Sequence, residues 1–315
     1  MPKSIFYQAL LVLTFLAFFV EANLRSYAIE NKRVLETTGA GSGTTFGNLT
    51  IYAYPNMDRE SDPINLYNML ISQPVIPKNI IFKILDVSNT KRILAKTYLI
   101  SRMLKFFPAN QFNFIALINV ASMASGYSLN TNDADLIFQA IQNTTQLAQF
   151  SSITIDAEPV YAWNSDPSKT VNSIDFHVRL IELINQKLNL PVSFYMSPAR
   201  IANANGLIYK NPTDWKFLLK TLGTQNTVFI PAYSYAADPV RQDDIANAVK
   251  ALGKVPYQLT FDSRDDTALK LRLEWAHEKN LYGNGTAIFS LSVTEPLQAS
   301  TMNLIGSYMR NITNS

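Results

Sequence analysis

The sequence predicts an α/β fold, a single (β/α)8 barrel, on three observations. Eight short apolar runs recur along the chain, each rich in β-branched or aromatic residues. Segments with helical spacing separate them. The glycine cluster Gly39-Ala-Gly41-Ser-Gly43 precedes the first run, whereas an open doubly wound sheet would carry a phosphate-binding glycine loop after an early strand. The runs are nearly continuous rather than alternating, which is what strands covered on both faces require.

In chain order the strands are expected at Leu49–Tyr54, Ile80–Val87, Phe112–Ala121, Ile153–Ile155, Val192–Met196, Val228–Tyr233, Tyr257–Phe261 and Ala287–Leu291. Between them, Asp133–Ala148 sets Leu136, Ile137, Ala140, Ile141 and Leu147 on one helical stripe. Val171–Leu188 does the same with Ile174, Val178, Ile181, Ile184 and Leu188. Asp214–Leu222 and Pro239–Leu252 read as helices stopped by Gly223 and Gly253. Asp266–Asn280 opens on Asp265-Asp266, which suits the positive end of a helix dipole, and Leu297–Met309 closes the alternation.

Composition narrows the function. The 315 residues are 47% hydrophobic and 16% charged, with 27 basic and 24 acidic side chains. No block of five like charges occurs, so no nucleic-acid partner is expected. Cysteine is absent, which excludes disulfides, thiolate metal sites and a cysteine nucleophile. His177 and His277 are the only histidines, without a carboxylate at ligand spacing, and neither a metal nor a cofactor is expected.

Residues 1–22 read as a secretory leader. Lys3 precedes an apolar run from Ala9 to Val20, and Val20-Glu21-Ala22 offers a cleavage site. The run is shorter than the roughly 20 residues a bilayer span needs, so no stable span is expected once the leader is removed. The chain is therefore expected outside the cell, or in the periplasm or wall of a bacterium. Residues 23–47, polar and Gly/Thr-rich, read as a flexible lead-in, and 48–315 as the barrel catalytic domain. The sequence carries no sign of oligomerisation.

Barrel enzymes keep their chemistry at the C-terminal ends of the strands. Polar residues expected there include Asp86, Asn119, Asp156, Glu158 and Asp262, with Ser290 and Ser292 at the end of the last strand and Glu295 after it. Asp156 and Glu158 are two apart, so an extended backbone points both to one face. With Ile153 and Ile155 toward the helices, Thr154, Asp156 and Glu158 face the lumen. Two acids at one mouth raise one another's proton affinity, and a carboxylic acid that stays protonated serves as a general acid.

The segment from Ser151 to Glu158 resembles the DxxDxDxE strand-four motif of glycoside hydrolase family 18, the chitinases and endo-β-N-acetylglucosaminidases. The family's last Asp falls on Asp156 and its acid on Glu158, while Ser151 and Thr154 replace its first two Asp residues. Phe229-Ile-Pro-Ala-Tyr-Ser-Tyr235 resembles the family's sixth-strand run and sets its substrate-touching Tyr on Tyr235, with Ala236 where Asp is common. Leu281-Tyr-Gly-Asn-Gly-Thr-Ala-Ile-Phe289 resembles the closing strand, with Phe289 in place of the floor Trp. Asp262 and the residues after it resemble the segment following strand seven. Where the family has a glycine-rich third-strand signature, this chain reads Asn119-Val-Ala-Ser122.

The resemblance implies a carbohydrate partner and substrate-assisted retaining hydrolysis, in which the substrate's 2-acetamido oxygen attacks the anomeric carbon. It implies Glu158 as acid and then base, and Asp156 and Tyr235 as the residues that hold the acetamido group. Tyr54, Tyr161, Trp163, Tyr195, Tyr233, Asp262 and Phe289 are the expected substrate-binding residues, since most are aromatics at or beyond strand ends. Two other readings stay open. One is a barrel that binds glycan without cleaving it. The other is a retaining glycosidase of another barrel family, with Glu158 as acid and Glu295 or Asp262 as nucleophile.

Overall fold

The computed structural model describes residues 44–53, 62–88, 92–108, 110–120, 129–146, 148–156, 174–195, 220–232, 239–289 and 299–313. All belong to one compact unit, Gly43–Ser315. Its strands are β1 (Thr44–Ala53), β2 (Val75–Val87), β3 (Ile93–Ala95), β4 (Asn113–Val120), β5 (Ser152–Asp156), β6 (Val192–Tyr195), β7 (Thr227–Pro231), β8 (Tyr257–Asp262) and β9 (Thr286–Phe289). Its helices are α1 (Asp62–Ile71), α2 (Thr97–Phe106), α3 (Thr131–Thr145), α4 (Ile174–Leu183), α5 (Pro239–Leu252), α6 (Asp266–Glu278) and α7 (Ala299–Thr313).

Eight strands pair in parallel around a closed ring, in the order β1, β2, β4, β5, β6, β7, β8, β9 and back to β1. The expected (β/α)8 barrel is the observed fold. The ninth strand, β3, is antiparallel to the C-terminal end of β2, pairing Asp86 with Leu94. It occupies β2 beyond Phe82, the last residue that β1 pairs, and so belongs to the barrel's C-terminal rim.

The barrel strands divide their side chains between an outer apolar layer and the lumen. Ile51, Ile80, Phe82, Ile118, Ile153, Ile155, Phe261 and Ile288 pack outward with helical residues such as Leu66, Ile137, Ile141 and Leu180. Tyr52, Ile81, Ile115, Leu117, Tyr195, Phe229 and Ala287 fill the lumen. Full burial of such a side chain is worth roughly 1.5–3 kcal/mol, so both faces contribute where the inward residue is apolar, whereas β5 and β8 turn the buried polar side chains Thr154, Gln258 and Thr260 inward.

Local sequence sets the helix ends. The side chain of Asn130 accepts from the backbone N–H groups of Asn132 and Asp133, and Asp133 returns a bond to the Asn130 N–H, a reciprocal cap for α3. Asp265 caps α6 through the N–H groups of Thr267 and Ala268. The helix expected to end at Leu188 does so, but its last turn, Ile184–Leu188, is a π turn, and Asn189 reverses it with φ 53°. β1 begins at Thr44, inside the segment read as a lead-in, because Thr44 and Thr45 pair with Val75 and Ile76. No helix among the described residues is long and apolar enough to cross a membrane.

Candidate functional site

The C-terminal mouth of the barrel has a polar side and an aromatic side. On the polar side Asp86 of β2, Asn119 of β4 and Asp156 of β5 stand in one row, since Asp86 pairs with Asn119 and Asn119 with Asp156 in strand register. Ile153 and Ile155 pack outward, so alternation turns Thr154 and Asp156 to the lumen, as expected. Asn119 Nδ2 donates to Asp86 Oδ1 at 3.0 Å. Lys83 Nζ reaches the same oxygen at 3.1 Å, and Lys96 Nζ, just beyond β3, lies 3.6 Å from Oδ2. One carboxylate thus gathers two ammonium groups and an amide, all of them mostly shielded from solvent.

The aromatic side is built by Tyr52 of β1, Tyr195 of β6, Phe229 of β7 and Phe289 of β9. The Tyr52 ring lies edge-on to Phe229, with centroids 5.7 Å apart, and to Tyr195 at 6.2 Å. Phe289 is tilted against Tyr52 at 5.8 Å and Tyr195 at 6.4 Å. Tyr195 is only 5% exposed, so in this arrangement its ring supports its neighbours, whereas Phe289 is half-buried and keeps part of its surface open. Such edge contacts add about 0.5–1.5 kcal/mol per pair beyond burial.

Asp262 ends β8 in register with Phe289. Arg264 Nε lies 2.9 Å from both its oxygens, the Arg264 N–H donates to Oδ1 at 2.9 Å, and Nη2 also contacts Oδ2. Burial by itself would raise the Asp262 pKa. The Arg264 hydrogen bonds and charge, with the charge of Arg272, outweigh it and hold the carboxyl below its ordinary range.

Beneath Asp156, Thr154 is fully buried, and its hydroxyl has no hydrogen-bond partner among the described residues. Of the expected site residues, Asp156, Tyr195, Asp262 and Phe289 are therefore found around one mouth. Tyr54, Glu158, Tyr161, Trp163, Tyr233, Tyr235 and Glu295 lie outside the described residues. Among the described residues, no three histidine or carboxylate side chains converge as metal ligands would.

Sequence reasoning missed Lys83, Lys96 and their convergence on Asp86. A signal existed for the first: a lysine inside Ile80-Ile-Phe-Lys-Ile-Leu85 breaks an otherwise apolar strand. Lys96 carries no comparable signal, because β3 was not foreseen.

The barrel is similar to that of a GH18 chitinase from Pseudoalteromonas aurantia, with a TM-score of 0.54, 10% identity, and coverage of 83% of this chain and 100% of that one. It is also similar to the spore cortex-lytic enzyme SleL of Bacillus megaterium, with a TM-score of 0.53, 12% identity, and coverage of 84% and 74%. At these identities the likeness is one of fold. No family model matches the sequence, and no curated protein matches it.

Proposed function

We propose that the protein is a secreted, chitinase-like glycoside hydrolase that cleaves β-linked N-acetylglucosamine-containing glycans by substrate-assisted retaining hydrolysis. The observation that carries this reading is Asp156, turned to the lumen at the C-terminal end of β5, two residues ahead of Glu158 in the sequence. The likeness in fold to a barrel described as a chitinase supports it, as does the half-buried Phe289 across the mouth from Asp156.

In the proposed reaction Glu158 protonates the departing glycosidic oxygen while the substrate's acetamido oxygen attacks the anomeric carbon. Asp156 and Tyr235 hold the acetamido group, and Asp156 balances the positive charge of the oxazolinium ion. Glu158 then takes a proton from water, which opens that ion with net retention. An intramolecular nucleophile is already ordered by the substrate, so the protein need not supply a carboxylate for attack. The alternative with Asp262 as nucleophile gains no support, because both its oxygens already accept from Arg264.

One observation favours a second reading, a barrel that binds glycan without cleaving it. The position below Asp156 holds the buried, uncharged Thr154. The test is incubation of the mature chain, wild type and Glu158→Gln, with chitin oligomers and high-mannose N-glycans, products being read by mass. Shortened oligomers from the wild type and a loss of turnover of about 100-fold or more in the variant are expected. Equal turnover overturns the assignment of Glu158, and binding without products selects the second reading.

A further inference from the structure

We infer that Asn143, Asn284 and Asn311 are acceptors for N-linked oligosaccharides, carried together on the N-terminal face of the barrel and away from the mouth. Four triplets of the acceptor type occur: Asn48-Leu-Thr50, Asn143-Thr-Thr145, Asn284-Gly-Thr286 and Asn311-Ile-Thr313. Scattered by chance, they would fall at both ends of the barrel. The structure puts all four at one end. Asn284 lies at the start of two strands. Its N–H donates to the carbonyl of Tyr257, the first residue of β8, at 2.9 Å, and its Nδ2 is 3.5 Å from the hydroxyl of Thr227, the first residue of β7. Asn48 precedes Leu49, which pairs with Thr286, the first residue of β9. Asn143 is in the last turn of α3, after which the chain enters β5 at Ser152. Asn311 is in the last turn of α7, and the turns before it meet strand beginnings. Gly306 packs on Val75, the first residue of β2, and the Tyr308 hydroxyl reaches the Leu281 carbonyl ahead of β9.

The stretches that follow the strands toward the mouth carry none. No asparagine in residues 54–61, 88–96, 121–130, 157–173 or 196–219 opens an acceptor triplet, and Asn211-Pro-Thr213 is barred by its proline. Exposure then selects among the four. Asn143, Asn284 and Asn311 are exposed, whereas Asn48 is half-buried against Gly285 in the seam between β1 and β9. Folding also withdraws the acceptor hydroxyls, since Thr286 is fully buried and Thr145 donates to the Ile141 carbonyl. Transfer therefore precedes folding, on the chain as it is exported. In that step the asparagine Nδ2 bonds to the anomeric carbon of an oligosaccharide carried on a polyprenyl pyrophosphate. The anomeric C–O bond breaks, Nδ2 gives up one proton, and the lipid pyrophosphate leaves with the bonding electrons. The modified amide keeps one N–H, enough for the contact that Asn284 makes with Thr227.

This inference rests on the secreted part of the functional reading and not on hydrolysis. The test is the full chain with its own leader, made in a eukaryotic secretory host, with glycopeptides of the secreted protein read by mass before and after peptide-N-glycosidase. Glycans are expected at Asn143, Asn284 and Asn311 and not at Asn48. Asn143→Gln, Asn284→Gln and Asn311→Gln are each expected to remove one glycan, and Thr145→Ala to remove the one at Asn143 with that asparagine intact. A secreted chain without glycans, or with Asn48 alone modified, overturns the inference. A chain that its own leader leaves inside the cell counts against the secreted reading, and the same chain exported by one of the host's leaders then decides the inference by the same three sites.

Discussion

Lys83 and Asp86 lie three residues apart on one strand, yet the lysine Nζ stands 3.1 Å from the aspartate Oδ1 inside the barrel. In a regular strand an odd separation sends two side chains to opposite faces. The register of β2 against β4 shifts between Lys83 and Leu85, so one extra residue is absorbed there and Asp86 returns to the lumen. The bulge is what makes the ion pair.

That pair is shielded, its side chains being 14% and 23% exposed, in contrast to Arg179–Asp135, at 44% and 43%. Lys83→Met leaves Asp86 with Lys96 at 3.6 Å and the Asn119 amide. We expect it to cost about 1–3 kcal/mol in urea unfolding, nearly independent of salt. Arg179→Ala is expected to cost less than about 0.5 kcal/mol and to lose even that in 1 M salt. Equal and salt-sensitive losses at the two sites would show that the barrel mouth is as solvated as the helix surface.

The turn into β9 gives a second prediction. Gly285 has φ 152°, and a Cβ on it would lie 2.3 Å from the carbonyl oxygen of Asn48 on β1. That approach is where β9 meets β1, with Leu49 paired to Thr286, so an alanine must push apart the two strands that close the ring. Gly253, with φ 61°, has no atom within 4 Å of the corresponding position. Gly285→Ala is expected to cost about 2–4 kcal/mol and Gly253→Ala about 1 kcal/mol, measured side by side by thermal unfolding. The reverse order would contradict the barrel closure described here.

The eight barrel strands were legible because each is buried on both faces and so reads as an apolar run that loops do not imitate. The inward turn of Asp156 was legible too, since β5 is regular and Ile153 and Ile155 fix its parity. Parity reasoning stops at a bulge. Nothing in Lys83-Ile-Leu-Asp86 announces that one residue is skipped, so the Lys83–Asp86 contact could not be derived from spacing. β3 escaped for a different reason: Ile93–Ala95 is three residues long, and its pairing depends on β1 ending early, which is a property of the assembled ring. Tyr195 and Phe289 look alike in sequence as aromatics at strand ends. Only packing separates the ring buried in the lumen from the half-open one.

Phe289 gives a third prediction. Its ring leans on Tyr52 and Tyr195 and remains half-buried, so Phe289→Ala is expected to cost about 1–3 kcal/mol of stability, less than a fully buried phenylalanine. If the ring also floors a sugar site, chitotetraose affinity falls about tenfold in Phe289→Ala and is kept in Phe289→Tyr, as calorimetric titration would read. Loss of stability with unchanged affinity assigns the ring to packing alone.

The last prediction concerns acid. Asp262 is buried, which by itself favours the neutral carboxyl, but the hydrogen bonds and charge of Arg264 and the charge of Arg272 bring its pKa below the ordinary value. A group whose pKa is lowered on folding stabilises the fold fully above its unfolded pKa, near 4, and loses that contribution as pH falls through the lower folded value. In Arg264→Gln the desolvation remains while most of the compensation goes, so the Asp262 pKa rises and the ionised carboxylate becomes a burden above it. Wild type and variant are therefore expected to differ most at neutral pH and to converge as pH falls through the lowered pKa of the wild-type Asp262, below which the carboxyl is protonated in both. Urea unfolding between pH 2.5 and 7 reads this gap directly. A gap that stays constant on acidification would mean that Arg264 acts through packing of its stem and not through the carboxylate it encloses.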